Sequence, residues 1–317
     1  MNRTRVFFVV VIGVALLLIS AGCGAKAEPD TLRIGVLPIL DTLPMVVADQ
    51  KGAFAERGVT VEFVAAASAA ERDQLLQAGK IDGIVTDLVA LALYNRDAPR
   101  VVAVRYAMTP TSGFSQFRVM AAKDSGISGP RDLANVQIGV SEGTVIEYVT
   151  DRMLEAEGLS PAEIETLAVS KIPERMALLR SGELAAATLP EPLASLAKQD
   201  GALVVVDDTQ HLETSCSVYA FRKETLDAHP EAIRGFLEAI SEVSQAINAD
   251  KSRWSDLLAE ENLVPALLIG SYELPDYPDD RAPSQAQFDD AVDWLQETGR
   301  LPEEPSYADS VDASFLP

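Results

Sequence analysis

Two periods alternate along this chain. Short runs rich in β-branched residues, "TLRIGVLPI" (31–39) and "VTVEFVAA" (59–66), read as strands. Between them "DTLPMVVADQKGAFAERG" (41–58) has the polar cap, early Pro and closing Gly that punctuate a helix. The rhythm continues through a helix at "SAAERDQLLQAG" (68–79), a strand at "IDGIVTD" (81–87), a helix at "LVALALYNR" (88–96) and a strand at "RVVAVRYAM" (100–108). In the second of these helices Ser68 stands three residues before Glu71, the spacing of a capping box, and Gly79 ends the helix in a left-handed turn.

The pattern then recurs. "VQIGVSEG" (136–143) repeats the Ile-Gly-Val of the first strand, "TVIEYVTDRMLEAEG" (144–158) is the following helix, and "IETLAVSK" (164–171) is the next strand. "IPERMALLRSG" (172–182) repeats the Glu-Arg, Leu-Leu, Gly phrase of "ERDQLLQAG" (71–79), and "LAAATLP" (184–190) matches "IDGIVTD". Ile34 to Ile138 and Glu71 to Glu174 are almost equally spaced, so the landmarks keep order and offset. The chain reads as two copies of a βαβαβ module, each a parallel sheet covered by helices. Turn-rich stretches at 107–116 and 207–217 read as crossings between them. The tail holds a strand at "VYAFRK" (218–223), a helix at 229–249, a Pro- and Asp-rich loop and a helix at 285–299, and is expected to return to the first lobe.

Length and composition add to this picture. At 317 residues the chain exceeds one ordinary core and suits two lobes. Arg3 and Arg5 precede an apolar run from Val6 to Ile19, shorter than the roughly 20 residues of a membrane-crossing helix, which reads as a secretory leader. The Ser20-Ala21-Gly22-Cys23 that follows resembles a bacterial lipoprotein cleavage site, although Ser20 replaces the usual Leu; an ordinary signal peptide or a membrane helix are the alternatives. The expectation is a leader over 1–22, cleavage before Cys23, acylation of that sulfur, and a tether over 23–30. Cys216 is then the one remaining cysteine and reads as a small buried hydrophobe. The formal charge of −22 argues against binding nucleic acid or anionic lipid head groups.

Together, "RIGVLPILDTLPMVVADQKGAFAERGVTVEFV", "LLQAGKIDGIVTD", "GVSEGTVIEYVTDRML", "TLPEPLASLA" and "FRKETLDAHPEAIRGFLEAI" resemble the substrate-binding proteins of ABC importers, in the sulfonate, nitrate and thiamine-precursor group called NMT1/THI5-like. The resemblance covers nearly all of the chain after the leader. It implies an α/β fold of the periplasmic-binding-protein type II kind: two βαβ lobes, a ligand cleft and two hinge crossings. Residues 31–112 with 217–317 would form lobe 1, and 113–216 lobe 2. It also implies a monomer, exported and lipid-anchored to face the periplasm or cell exterior, which delivers a small organic molecule to a permease driven by an ATPase. No cofactor or metal is implied. A sensory lipoprotein and an enzyme like those of the THI5 or menaquinone pathways are the alternatives; against catalysis stand the mere two histidines and the lack of any nucleophile motif.

Ligands of open parallel sheets bind beyond the carboxyl ends of the strands. That nominates Asp41, Thr42, Ser68, Thr86 and Asp87 from the first copy, and Ser141, Glu142, Gly143, Thr144, Lys171 and Glu191, beside Pro190, from the second. Asp41, Thr42, Ser68, Asp87, Ser141 and Thr144 also stand where helix caps stand, which is a complete structural reason for each. One Lys against four carboxylates favours a polar neutral or amine-bearing ligand, with Tyr106, Phe114 or Tyr148 as stacking faces.

Overall fold

A computed structural model describes residues 30–66 and 68–317. The expected leader, Cys23 and the expected tether up to residue 29 lie outside the described residues. In chain order the strands are β1 (Asp30–Val36), β2 (Val59–Ala65), β3 (Gly83–Thr86), β4 (Val101–Met108), β5 (Phe117–Ala121), β6 (Gln137–Val140), β7 (Glu165–Ala168), β8 (Ala186–Pro190), β9 (Leu203–Asp207) and β10 (Ser217–Arg222). The helices used below are α1 (Leu43–Gln50), α2 (Ala69–Gln77), α3 (Leu88–Asn95), α4 (Val145–Ala156), α5 (Ile172–Ser181), α6 (Leu193–Gln199), α7 (Pro230–Ala249) and α8 (Gln285–Glu297). The helix expected over 41–58 divides into α1 and a short turn, Ala53–Glu56.

The strands form two sheets of five, in the orders β2-β1-β3-β10-β4 and β7-β6-β8-β5-β9. β1 pairs in parallel with β3, and β6 with both β7 and β8. β10 is antiparallel to β3 and β4, and β5 is antiparallel to β8 and β9. The sheets are therefore mixed, which corrects the expectation of purely parallel ones. The reason is topological. Each crossing leaves one sheet at the carboxyl ends of its parallel strands and enters the other sheet from that same end, so the arriving strand runs against its neighbours. Neither β5 nor β9 stood out in the sequence, because both are short and become strands by pairing with distant segments.

Close packing explains the repeated Ile-Gly-Val. A Cβ on Gly35 would stand 2.4 Å from Ile81 Cδ1 and 3.2 Å from Arg72 Cγ; one on Gly139 would stand 2.8 Å from Leu184 Cδ1 and 3.2 Å from Arg175 Cγ. In both copies the glycine admits the stem of the arginine from the Glu-Arg phrase, so the two repeated landmarks pack against each other.

Of the tail, β10 joins the first sheet and α7 packs on α1. Phe236 of α7 stacks on Phe54 with ring centroids 5.2 Å apart and meets Phe221 edge-on at 5.5 Å. Helix α8 lies against α3 and also against α4 of the other half. Trp294 meets Tyr148 edge-on at 5.6 Å, its Nε1–H donates to Asp151 at 2.8 Å, and the Tyr148 hydroxyl donates to Asp290 at 2.6 Å.

Candidate ligand-binding cleft

A depression of about 660 Å³ lies between α2, α3 and the end of β10, with Arg96, Arg100, Arg222 and Glu224 on its wall. It opens at the amino end of β4, away from the strand ends where an α/β sheet gathers its functional groups. A smaller cavity of about 180 Å³ lies where those ends converge. From the first sheet come the loop after β1 (Ile39, Leu40, Asp41), Arg72 of α2, Val85 to Asp87 at the end of β3, Met108 of β4, and Cys216 and Ser217 at the start of β10. From the second come Gln116, Phe117, Val145, Pro190 and Glu191.

Local rules place each polar group. Strand β3 is buried along its length and stops at Asp87, whose extended backbone lets its carboxylate accept the Ala90 N–H at 2.8 Å and cap α3. Asp41 sits in the tight turn Leu40–Thr42, held by the Tyr277 hydroxyl, which donates to Leu40 O at 2.8 Å; the Ser217 hydroxyl donates to the Asp41 carboxylate. Glu191 follows β8, and its N–H donates to Gln116 O at 2.8 Å. Its carboxylate lies 2.7 Å from Arg118 Nη1 and accepts the Tyr272 hydroxyl at 3.3 Å. Burial holds Asp41, Asp87 and Glu191 above the usual carboxylate range, and at Glu191 the Arg118 guanidinium opposes part of that rise. Burial also pushes the Cys216 thiol far up, which suppresses the thiolate.

The two crossings meet at Asp208. This fully buried carboxylate accepts the N–H groups of Gln116 at 2.9 Å and Phe117 at 3.1 Å, and the Ser215 hydroxyl at 2.5 Å. It thereby ties the first crossing to the second; burial lifts its pKa to about 7 despite those three donors.

Of the residues nominated from the sequence, Asp41, Thr86, Asp87 and Glu191 line the cavity. The others have local roles. Thr42 donates to Ile39 O at 2.7 Å and faces a separate apolar groove. Ser68 is exposed and accepts the Glu71 N–H at 3.2 Å. Ser141 accepts from Arg175, Glu142 is exposed 3.7 Å from Arg300, the Gly143 N–H donates to Glu147 at 2.6 Å, and Thr144 caps α4. Lys171 is exposed at the start of α5. The proposed stacking faces Tyr106 and Tyr148 are buried and bonded to Gln287 and Asp290. Sequence reasoning missed Arg72, which looked like part of a capping phrase, and Phe117 and Val145. The one available signal was that Arg72 recurs as Arg175.

Two mixed sheets joined by two crossings, with a cavity between the ends that face each other, define a fold of the periplasmic-binding-protein type. The model of the NMT1-like family matches residues 25–259, and the chain belongs to that family. It is 24% identical over 246 residues to the nitrate/nitrite binding protein NrtA of Nostoc sp., covering 72% of this chain and 56% of that one, so it spans little more than half of that relative. It is 23% identical over 295 residues to the taurine-binding periplasmic protein of Escherichia coli, covering 86% and 89%. The crystal structure of the periplasmic aliphatic sulphonate binding protein SsuA from Escherichia coli matches with a TM-score of 0.76 at 21% identity, over 90% of this chain and 92% of that one, and shares the fold.

Proposed function

We propose that this chain is the extracytoplasmic solute-binding lipoprotein of an ABC importer. It takes a small organic molecule between two lobes, residues 31–112 with 217–317 and residues 113–216, and hands it to a permease coupled to an ATPase. One observation carries this reading: the cavity draws its walls from both sheets and sits beside two crossings stapled together by Asp208. A ligand that touches both walls favours the closed arrangement, because only that arrangement makes both sets of contacts. The names of the two sequence relatives, a nitrate/nitrite binder and a periplasmic taurine binder, support a solute-binding role. The reading assigns no catalytic step. His211 lies away from the cavity, 3.2 Å from Glu157.

Closure is tested with spin labels on the exposed positions Asp97 and Glu183, in the domain lacking Cys23; the buried Cys216 escapes labelling. A saturating ligand narrows the distance distribution, and an unchanged distribution at saturation overturns hinge closure. Anchoring through Cys23 is tested separately by feeding cells an alkyne fatty acid. Wild type takes up the label and Cys23→Ser does not; label on the variant removes the anchor.

A further inference from the structure

The charge on the cavity wall bears on the class of ligand, an inference that rests on the cleft reading above. Three carboxylates face the cavity, and their surroundings differ. Glu191 has Arg118 at 2.7 Å. Asp87 caps α3 and lies in the field of Arg72. Asp41 has the Ser217 hydroxyl, and among the described residues no cationic side chain lies within ion-pair distance of it.

The cations nearby are already engaged. Arg72 donates through Nη1 to Val85 O at 2.7 Å and through Nε and Nη2 to Asp73 at 3.0 and 2.8 Å. Arg118 donates through Nε to Ser115 at 2.7 Å and through Nη1 to Ser195 at 3.2 Å, besides facing Glu191. An oxoanion entering here would find both guanidinium groups already paired with carboxylates and three carboxylates on the wall to repel it. On the same wall the Thr86 hydroxyl, on a residue only 4% exposed, has no hydrogen-bond partner among the described residues. A buried, unsatisfied hydroxyl on a cavity wall is costly unless a bound molecule completes it.

We propose that the molecule held in this cavity carries a protonated amine, with Asp41 and Asp87 as its counter-charges and Thr86 as a hydrogen-bond acceptor. Met108, Phe117 and Val145 supply apolar wall for a short carbon body. Burial raises the proton affinity of both aspartates, and an ammonium opposite them would favour their ionised forms.

The test is calorimetric titration at pH 7 with 1,4-diaminobutane, 2-phenylethylamine, taurine, 2-hydroxyethanesulfonate (taurine with a hydroxyl in place of the amine) and nitrate. An amine-bearing probe binds, and taurine binds more tightly than its hydroxyl analogue. Asp41→Asn and Asp87→Asn keep side-chain shape, and Asn still caps α3; each weakens amine binding by about 10- to 100-fold. Thr86→Val weakens it by roughly 5-fold. Binding of nitrate or the hydroxyl analogue more tightly than any amine, or amine binding undiminished in both Asn variants, overturns the proposal. Val145→Trp, which fills the cavity, separates this inference from the cleft itself. If it abolishes binding of nitrate or a sulfonate that both Asn variants leave intact, the cleft stands and the amine falls. If binding ignores every one of these substitutions, the cleft reading falls as well. Circular-dichroism melting confirms that each variant compared is folded.

Discussion

Both copies of the repeat bury an arginine over a strand glycine, and they satisfy it in opposite ways. In the first, Arg72 lies over Gly35, bonds Asp73 at 2.8 Å and reaches the Tyr94 hydroxyl at 3.4 Å. Burial works against its charge, but Tyr94, Asp73 and Asp87 together raise its pKa. In the second, Arg175 lies over Gly139 and is fully buried, and its bonds go to neutral oxygens, Ser141 Oγ at 3.0 Å and Val169 O at 3.1 Å. Its Nε and Nη2 have no partner among the described residues, and burial lowers its pKa to about 10. The shared feature is steric: a missing Cβ admits a long stem. The differing feature is electrostatic. The packing geometry is shared while the charge environment differs, and two of the three carboxylates on the cavity wall, Asp41 and Asp87, come from the first copy.

The sharpest break of this comparison comes from removing the two guanidinium groups while keeping the stems. Arg72→Met leaves Asp73 and Asp87 uncompensated and lowers unfolding free energy in urea by about 3 kcal/mol; Arg175→Met removes a dry charge with no carboxylate partner and changes stability by about 1 kcal/mol or less. Equal losses would show that the carboxylates do not set the difference. The glycines come next. Gly35→Ala costs about 2 kcal/mol and Gly139→Ala about 1 kcal/mol, because the added methyl meets Ile81 more closely than Leu184, in cores that resist overpacking. Thermal melts that reverse this order would remove the steric account. The smallest contrast lies at the helix starts. Ser68→Ala costs about 1 kcal/mol by removing the acceptor of the Glu71 N–H, whereas Lys171→Ala changes stability by less than about 0.5 kcal/mol, because Lys171 makes no side-chain cap.

Much of the scaffold was legible because it is written locally. Ser68 and Gly79 bound α2 by rules that act within four residues, and Gly79 and Gly182 both take the left-handed conformation (φ 64° and 78°) that ends the paired helices. The cavity was half legible for the same reason. Asp41, Thr86 and Asp87 stand at or just past strand ends of the first copy, where a strand-end rule finds them. The second copy's row at 141–144 obeyed the same rule and lies off the cavity, its side chains engaged with Arg175, Arg300 and the start of α4.

By itself, then, the sequence determined the repeat, the order of strands and helices within each copy, the two crossings and the cap residues, since each depends on neighbours in the chain and on the period of burial. Only the tertiary structure decided that β5 and β10 run antiparallel inside their sheets, that Arg72 faces the cavity while Arg175 is sealed, and that Asp208 joins the crossings. Those outcomes depend on contacts between residues far apart in the chain, such as Asp208 with Gln116 and Arg72 with Gly35, whose distances no local pattern encodes.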